Sequence, residues 1–175
     1  MTGFPPLPLT TAAELVDVDA AARAAARRAA REGPIMRAVL ELFADHGGPV
    51  PVAAVAAATG LAVDAAALAL QDLSDDDLLV LREETVELAY PFSTAPTSFV
   101  ARLLDGRERF ICCAIDALGL APMLGAPVVV TSACHHSGAP LRFAVTPEGP
   151  APEAAPLMVW ATRSGGDDER ACTGL

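Results

Sequence analysis

Three helix-length segments followed by a hairpin occupy residues 34–90, and this succession constrains the fold more than any other feature of the chain. Pro34 begins the first segment, PIMRAVLELFADHG, in which apolar residues recur at helical spacing and Gly47-Gly48 marks the end. The segments VPVAAVAAATG and LAVDAAALALQDLSDDD predict two shorter helices separated by Gly60, and LLVLREETVELAY predicts a two-stranded hairpin. The order of these elements predicts a winged-helix-like unit over residues 34–90.

The third predicted helix of this unit is acidic. Many winged-helix units bind DNA through their third helix, but here that helix contains Asp64 and Asp72 and no Lys or Arg, and the run Asp75-Asp76-Asp77 follows. The whole chain carries a formal net charge of −10. Because phosphate contacts dominate nucleic-acid affinity, we expect no nucleic-acid partner and interpret the unit as a structural or interaction module.

Residues 1–33 are predicted to form an N-terminal arm and a helix. Residues 1–10 are Pro-rich, and the Ala-rich stretch that follows has Glu14 near its start, several Arg toward its end and Gly33 after them. We interpret the arginines as a solvated helical face. No stretch of the chain reaches the about 20 apolar residues of a membrane span, and the pattern of a signal peptide is missing. We therefore expect a cytoplasmic protein with no membrane partner.

The cysteines are expected to be reduced, since thiols in the cytoplasm seldom form disulfides. They are Cys112, Cys113, Cys134 and Cys172. Each is then a free thiol, a metal ligand or a nucleophile. His135 and His136 suggest zinc, but a zinc site needs about four ligands at familiar spacings, and we interpret the two histidines as part of a polar loop.

Strand patterns dominate residues 91–175. The segment SFVARLLDGRERFI alternates around Asp105-Gly106 and predicts a hairpin. A helix is predicted over CCAIDALGLAPMLG, strands over PVVVTSAC and PLRFAVTPEG on either side of the loop HHSGA, and a further strand over APLMVWATR. The predicted fold class is α+β, with an N-terminal winged-helix-like helical unit followed by a strand-rich unit.

Cys113 and Asp116 are the candidate site residues. Three residues apart on a helix, they share a face with about 5–6 Å between their β-carbons, so both can act on one atom. Burial and a neighbouring thiolate raise the pKa of a carboxyl group, which leaves it able to act as a general acid. The alternative is a packing cysteine beside a helix-surface aspartate. The apolar residues on both sides of Asp116 favour a partner or a function for its carboxyl group.

The segment ICCAIDALGLAPMLGAPVVVTSACHHSGAPLRFAVTPEG resembles the central segment of alkylmercury lyases in residue order and spacing. The matching motifs are Cys113 to Asp116, Leu124-Gly125, Thr131 to Cys134, Ser137 to Pro140 and Val145 to Pro147. The resemblance extends over most of the chain from about Pro34. It implies a winged-helix-like unit at 34–90 and an alkylmercury-lyase-like catalytic unit at 91–175.

The resemblance also implies an activity, the cleavage of a carbon–mercury bond to give hydrocarbon and Hg(II). Mapped onto matching positions, the catalytic residues are Cys113, Asp116 and Cys172, which are also the implied ligands of the Hg(II) product. Cys113 would capture the organomercurial as a thiolate, Cys172 would add a second thiolate, and Asp116 would protonate the departing carbon. The implied partners are a small organomercurial and low-molecular-weight thiols that remove Hg(II), and no cofactor is required.

Several positions depart from the family pattern. The match at Cys172 rests on a short stretch, and the chain ends three residues after it, whereas the family continues, so we expect a shortened C-terminus and a more open site. Cys112 stands where the family usually has a bulky aromatic residue, and we interpret both Cys112 and Cys134 as packing cysteines. Two alternatives therefore stay open: a protein of this fold that binds soft metals such as mercury without cleavage, and a winged-helix regulator that senses metal, which the acidic third helix disfavours.

Overall fold

The computed structural model describes residues 33–159. Its helices are α1 (Pro34–His46), α2 (Val52–Thr59), α3 (Val63–Asp75) and α4 (Ala114–Leu124), with a short 3-10 helix at Pro152–Ala154. Its strands are β1 (Val50–Pro51), β2 (Leu79–Arg82), β3 (Thr85–Ala89), β4 (Phe92–Ser93), β5 (Phe99–Arg102), β6 (Glu108–Ile111), β7 (Val128–Ala133), β8 (Pro140–Thr146) and β9 (Gly149–Pro150). The predicted helix before Pro34 and the candidate Cys172 lie outside the described residues.

The first part of this structure follows the predicted order of three helices and a hairpin. Pro34 stands in the first turn of α1, where a missing N–H costs nothing, and α1 ends at Gly47 in the left-handed conformation. Gly60 ends α2 in the same way. The hairpin pairs Leu79–Arg82 with Thr85–Ala89 and contains an irregularity between Val80 and Leu81. The description of residues 34–90 as a winged-helix-like unit stays a prediction.

One antiparallel sheet of nine strands runs through the described part of the chain. Its order is β1-β3-β4-β6-β5-β7-β8-β9, with β2 also paired to β3. The short strand β4 joins the early hairpin to the later strands, because it pairs with β3 on one side and with β6 on the other. The mixed α+β class is confirmed, and the division of the chain near residue 90 stays a prediction.

Helices α1 and α4 pack against different parts of the sheet. α1 packs against β1, β3 and β4, whereas α4 packs against β5 to β9. The ring of Phe43 from α1 stacks on Phe92 from β4, with 6.2 Å between the ring centroids. Phe92 is in turn the register partner of Ile111, so these two side chains share a face of the sheet. Ile111, the buried last residue of β6, is thereby held in place immediately before the candidate site.

The core is built mainly from aliphatic side chains and alanines. Buried alanines occur on all four α-helices, on the 3-10 helix and on strands β3 and β5. No single helix among the described residues is long and apolar enough to cross a membrane, neither the apolar α2 nor the more acidic α3. These two pass that test only as a pair bent by 109°. Their apolar residues Val55 and Leu70 are fully buried within the protein core.

The strand predicted over APLMVWATR, residues 155–163, is wrong where the structure describes it. Residues 155–159 form no strand and follow the 3-10 helix, and the sheet instead ends with the two-residue strand β9. Pro152 and Pro156 lack the N–H groups with which a strand pairs, which accounts for the difference. Residues 160–163 lie outside the described residues.

Two arginines on the β5–β6 hairpin tie it to the C-terminal end of α1. Arg109 donates to the backbone carbonyls of Phe43 and Ala44 at 2.7 to 3.1 Å, and Arg107 donates to the carbonyl of Asp45. The last carbonyls of a helix have no partner within the helix, and positive charge there is favourable. The two guanidinium groups therefore hold α1 against the strand that leads to Cys113.

Gly47 is the position where this connection is most sensitive to substitution. Its φ is +67°, and an added β-carbon would lie 2.7 Å from the Arg109 guanidinium carbon. We expect Gly47→Ala to lower the free energy of unfolding by about 2–4 kcal/mol, since it adds backbone strain and displaces charged hydrogen bonds. Urea unfolding followed by circular dichroism measures the loss.

Two other glycines provide matched controls for this prediction. Gly60 also has a positive φ of +73° but has nothing within 4 Å of an added β-carbon, so Gly60→Ala isolates the backbone cost of about 1–2 kcal/mol. Gly48 has open space as well and no positive φ. Gly48→Ala should change stability by less than about 0.5 kcal/mol. Equal losses for Gly47→Ala and Gly60→Ala would show that the Arg109 contact contributes nothing.

Candidate active site

Cys113 lies at the junction between strand β6 and helix α4. The backbone N–H of Cys112 donates to the carbonyl of Pro91 at 2.9 Å, and the carbonyl of Cys113 accepts the first helical hydrogen bond, from Ala117, at 3.0 Å. Cys113 has φ −152° and ψ −179°, so it is the extended N-cap residue of α4. The side chain makes no capping hydrogen bond to the helix backbone. Cysteine is not among the residues that usually cap helices.

The thiol of Cys113 and the carboxylate of Asp116 are in direct contact. Sγ of Cys113 donates to Oδ2 of Asp116 at 3.0 Å, and both residues are half-buried. The expected proximity is therefore present, but the expectation that both residues lie within the helix was wrong for Cys113. Asp116 occupies the third helical position, from which a side chain reaches back to the N-cap residue. This local geometry, rather than a shared helix face alone, brings the two groups together.

Opposing effects act on the Cys113 thiol, and their net result is a raised pKa. Burial is the largest cause, and the hydrogen bond to the Asp116 carboxylate and its negative charge act in the same direction. The backbone N–H groups of Asp116 and Ile115, at the N-terminus of α4, oppose this rise by favouring the thiolate. The raised pKa of Cys113 favours the protonated thiol, which donates its hydrogen bond to Oδ2 of Asp116.

The other described cysteines have different surroundings. Cys112 is only 4% exposed, whereas Cys134 is half-buried at the end of β7. Hydrogen bonding from the Ser137 side chain, followed by backbone N–H groups in the same loop, lowers the pKa of Cys134. Cys112, Cys113 and Cys134 are not joined in disulfides in the described structure. The packing roles of Cys112 and Cys134 stay predictions.

Residues 33–159 contain no preformed metal-binding site. No group of three or more His, Cys, Asp or Glu in this range is arranged to hold a metal ion. His135 and His136 are exposed in the loop between β7 and β8, as expected of a polar loop. Within that range, the candidate site consists of one thiol and one carboxylate, which suits capture of a soft metal by sulfur and transfer of one proton.

The opposite pKa shifts of Cys113 and Cys134 lead to a testable difference in reactivity. Because the thiolate is the nucleophile, we expect iodoacetamide near neutral pH to modify Cys134 faster than Cys113. Asp116→Asn removes the charge that helps to raise the Cys113 pKa, and should accelerate modification of Cys113 at the same pH. Peptide mapping by mass spectrometry over a pH series measures both rates. Faster modification of Cys113 than of Cys134 in the wild-type protein would contradict the described environment.

The part of the chain that contains this site is similar to known proteins. Residues 92–174 match the family model described as alkylmercury lyase. Alkylmercury lyases of Staphylococcus epidermidis and Streptomyces lividans are each 32% identical to this chain over 114 residues, which is 65% of this chain and 50% and 51% of theirs. An alkylmercury lyase of Bacillus cereus is 28% identical over the same length. The chain thus spans about half the length of the curated relatives it matches.

Comparison of structures supports the same fold. The chain superposes on a crystal structure of the mercury-bound form of MerB2 with a TM-score of 0.57 and 22% sequence identity, covering 71% of this chain and 63% of the other. At this identity the likeness shows the fold alone. The sequence matches carry the relationship, and the matched range contains both Cys113 and Asp116. The resemblance of this chain to the alkylmercury lyase family, expected from its sequence motifs, is therefore confirmed.

Proposed function

We propose that this chain is an organomercurial lyase, which cleaves a carbon–mercury bond by protonolysis. The observation that carries the proposal is the 3.0 Å contact between the Cys113 thiol and the Asp116 carboxylate. This pair lies within the stretch that matches the alkylmercury lyase model. A thiol provides a soft ligand for mercury, and the adjacent carboxylate provides a place for the proton that sulfur must give up.

The first proposed step is capture of the substrate. The sulfur of Cys113 forms a bond to the mercury of R–Hg–X, the bond between mercury and X breaks, and X departs with its electron pair. The thiol proton moves to Oδ2 of Asp116, with which it already shares a hydrogen bond. The raised pKa of the free thiol is overcome in this step, because binding to a metal deprotonates a thiol. The products of capture are Cys113–S–Hg–R and a neutral carboxylic acid.

The second proposed step is cleavage of the carbon–mercury bond. The Asp116 carboxylic acid gives its proton to the carbon bound to mercury, the carbon–mercury electron pair forms the new C–H bond, and hydrocarbon R–H leaves. A second thiolate from Cys172 would weaken the carbon–mercury bond as it binds. Cys172 lies outside the described residues, so its part in catalysis and in holding Hg(II) with Cys113 and Asp116 rests on the family resemblance.

The proposal has consequences for the partners of the protein. Low-molecular-weight thiols would remove Hg(II) from the site and return Cys113 to its free state, since thiolates exchange readily as ligands of soft metals. Such thiols are abundant in the reducing cytoplasm, where we propose that the protein acts, without a further cofactor. We also propose residues 34–90 as a winged-helix-like structural or interaction unit and residues 91–175 as the catalytic unit.

The function is tested by incubating the folded protein with phenylmercury and excess thiol, and measuring benzene by gas chromatography. We expect benzene to accumulate over many turnovers. Tight retention of phenylmercury without benzene would favour the second candidate, a mercury-binding protein of the same fold. Exposed cysteines alone would capture mercury, and protein unfolded in urea is the control that separates simple capture from catalysis.

A further inference from the structure

A cleft of about 220 Å³ lies between helices α1 and α4. Cys113 and Asp116 do not line it, but Leu120, about one helical turn beyond Asp116, does. Two exposed charged residues, Arg37 and Glu41, contribute to its lining. The rest of the lining is apolar and comes from Leu40, Pro91, Phe92, Leu120, Met123 and Leu124. Phe92 and Leu120 are almost completely buried, whereas Met123 is 44% exposed. An apolar cavity of about 150 Å³ is sufficient to bind benzene. The cleft therefore has the size and the lining to accept a hydrocarbon group.

One stripe of helix α4 connects the cleft to the candidate site. Residues at steps of three or four along a helix lie on the same face, and the steps from Asp116 to Leu120 and then to Met123 are four and three. Cys113 precedes Asp116 by three residues and stands at the N-cap of the same helix. At 1.5 Å per residue, Leu120 lies about 6 Å beyond Asp116 along the helix axis. Along the axis of α4, Asp116 thus lies between Cys113 and the cleft residue Leu120.

The cleft residues Pro91 and Phe92 also contact the chain immediately before Cys113. Pro91 accepts the backbone hydrogen bond from Cys112 at 2.9 Å. Phe92 is paired with Ile111, the residue that precedes the two cysteines. Residues on both walls of the cleft are therefore connected to Cys113. One wall is connected through helix α4 and the other through the paired strands β4 and β6.

We propose that this cleft binds the organic group of the substrate and gives the enzyme a preference for aryl and larger alkyl groups over methyl. The inference rests on the proposed function. The carbon to be protonated must contact the mercury on Cys113 and the acid of Asp116 at the same time. The remainder of its organic group then extends past Asp116, toward Leu120 and Met123. A methyl group is too small to reach those side chains, whereas a phenyl ring extends far enough to approach Leu120, and larger groups extend toward Met123.

Substrate preference tests the proposal through Met123, whose exposure allows a larger side chain without disturbing the core. Met123→Trp partly fills the cleft, so the ratio of kcat/KM for phenylmercury to that for methylmercury should fall by about tenfold or more. Leu68 is also on a helix and is 71% exposed, and it is not among the residues that line the cleft. Leu68→Trp should leave the ratio unchanged. Hydrocarbon release with an unchanged ratio in Met123→Trp would overturn the cleft assignment.

A second measurement locates the organic group without depending on turnover. Phenylmercury is bound to the Asp116→Asn variant, in which Cys134→Ser removes a competing thiol, and nuclear Overhauser effects are recorded from the ring protons. Contacts with the methyl groups of Leu40 and Leu120 would support the cleft. Ring contacts confined to other residues, or a cleft filled in this complex by residues 160–175, would overturn it. If the wild-type protein released no hydrocarbon, the proposed function would fail, and the same contacts would still decide where the ring lies.

Discussion

Asp116→Asn is expected to slow hydrocarbon release from captured phenylmercury by about 10²- to 10⁴-fold, the usual contribution of a positioned general acid. The amide is close in size to the carboxylate, but it cannot accept the thiol proton and then deliver it to carbon. Capture of mercury by Cys113 should persist, because sulfur forms that bond. Rapid quenching with quantification of benzene measures the release step, and intact-protein mass spectrometry measures capture.

Asp64→Asn is the matched control for this variant. Asp64 lies in the first turn of α3, as Asp116 lies in the first turn of α4, but it is exposed. Both changes remove a carboxylate from a helix N-terminus, so a shared cost in stability would appear in both variants. Only Asp116→Asn should lose benzene release. Equal rates for Asp116→Asn and the wild-type protein would remove Asp116 from the mechanism.

Cys113→Ser is expected to reduce turnover by more than about 10³-fold, comparable to the loss of other essential nucleophiles. A hydroxyl group is a much harder ligand than a thiolate and has little affinity for mercury. This variant should therefore lose capture at position 113, one equivalent of bound mercury fewer than the wild-type protein, as well as cleavage, whereas Asp116→Asn should lose cleavage alone. Turnover of methylmercury and retention of mercury after gel filtration distinguish the two defects.

Cys134→Ser provides the comparison for loss of a thiol. Hydrogen bonding in its loop lowers the pKa of Cys134, so this residue is expected to be a readily modified thiol of the described structure at neutral pH. The candidate mechanism does not use it. If Cys134→Ser abolished hydrocarbon release while Cys113→Ser preserved it, the site would have to be moved to the β7–β8 loop.

The local elements of the fold were predictable because Pro and Gly mark their limits. Pro34 and Gly47 delimit α1, Gly60 ends α2, and Asp105-Gly106 forms the turn of the β5–β6 hairpin. Each of these residues acts through its own backbone preferences, which a sequence displays directly. The strand predicted over residues 155–163 is wrong in its described part, because Pro152 and Pro156 disfavour strand pairing in spite of the apolar run.

The candidate pair was predictable from its motif, but its geometry was not. Cysteine carries no capping preference, so the sequence did not indicate that α4 begins immediately after Cys113. An N-cap position aims the sulfur at the first turn of α4 and lets backbone N–H groups act on the thiol. The backbone hydrogen bond from Cys112 to Pro91 depends on pairing between strands β4 and β6. Such pairing between distant segments has no local signal.

The cleft was also beyond prediction from the sequence. Leu120 and Met123 read as ordinary apolar positions of α4, and Leu40 as an ordinary position of α1. Their common role depends on the packing of two helices that are separated by more than half of the described chain. Only the placement of both helices on one sheet brings these side chains together around a cavity.

The most direct test of the central claim is the intact mass of the wild-type protein after mixing with one equivalent of phenylmercury in the absence of external thiol. Protonolysis at the Cys113–Asp116 pair should leave the chain with the added mass of Hg(II) alone, while one equivalent of benzene appears in solution. A chain that retains the full mass of the phenylmercury adduct, with no benzene released, would contradict the account.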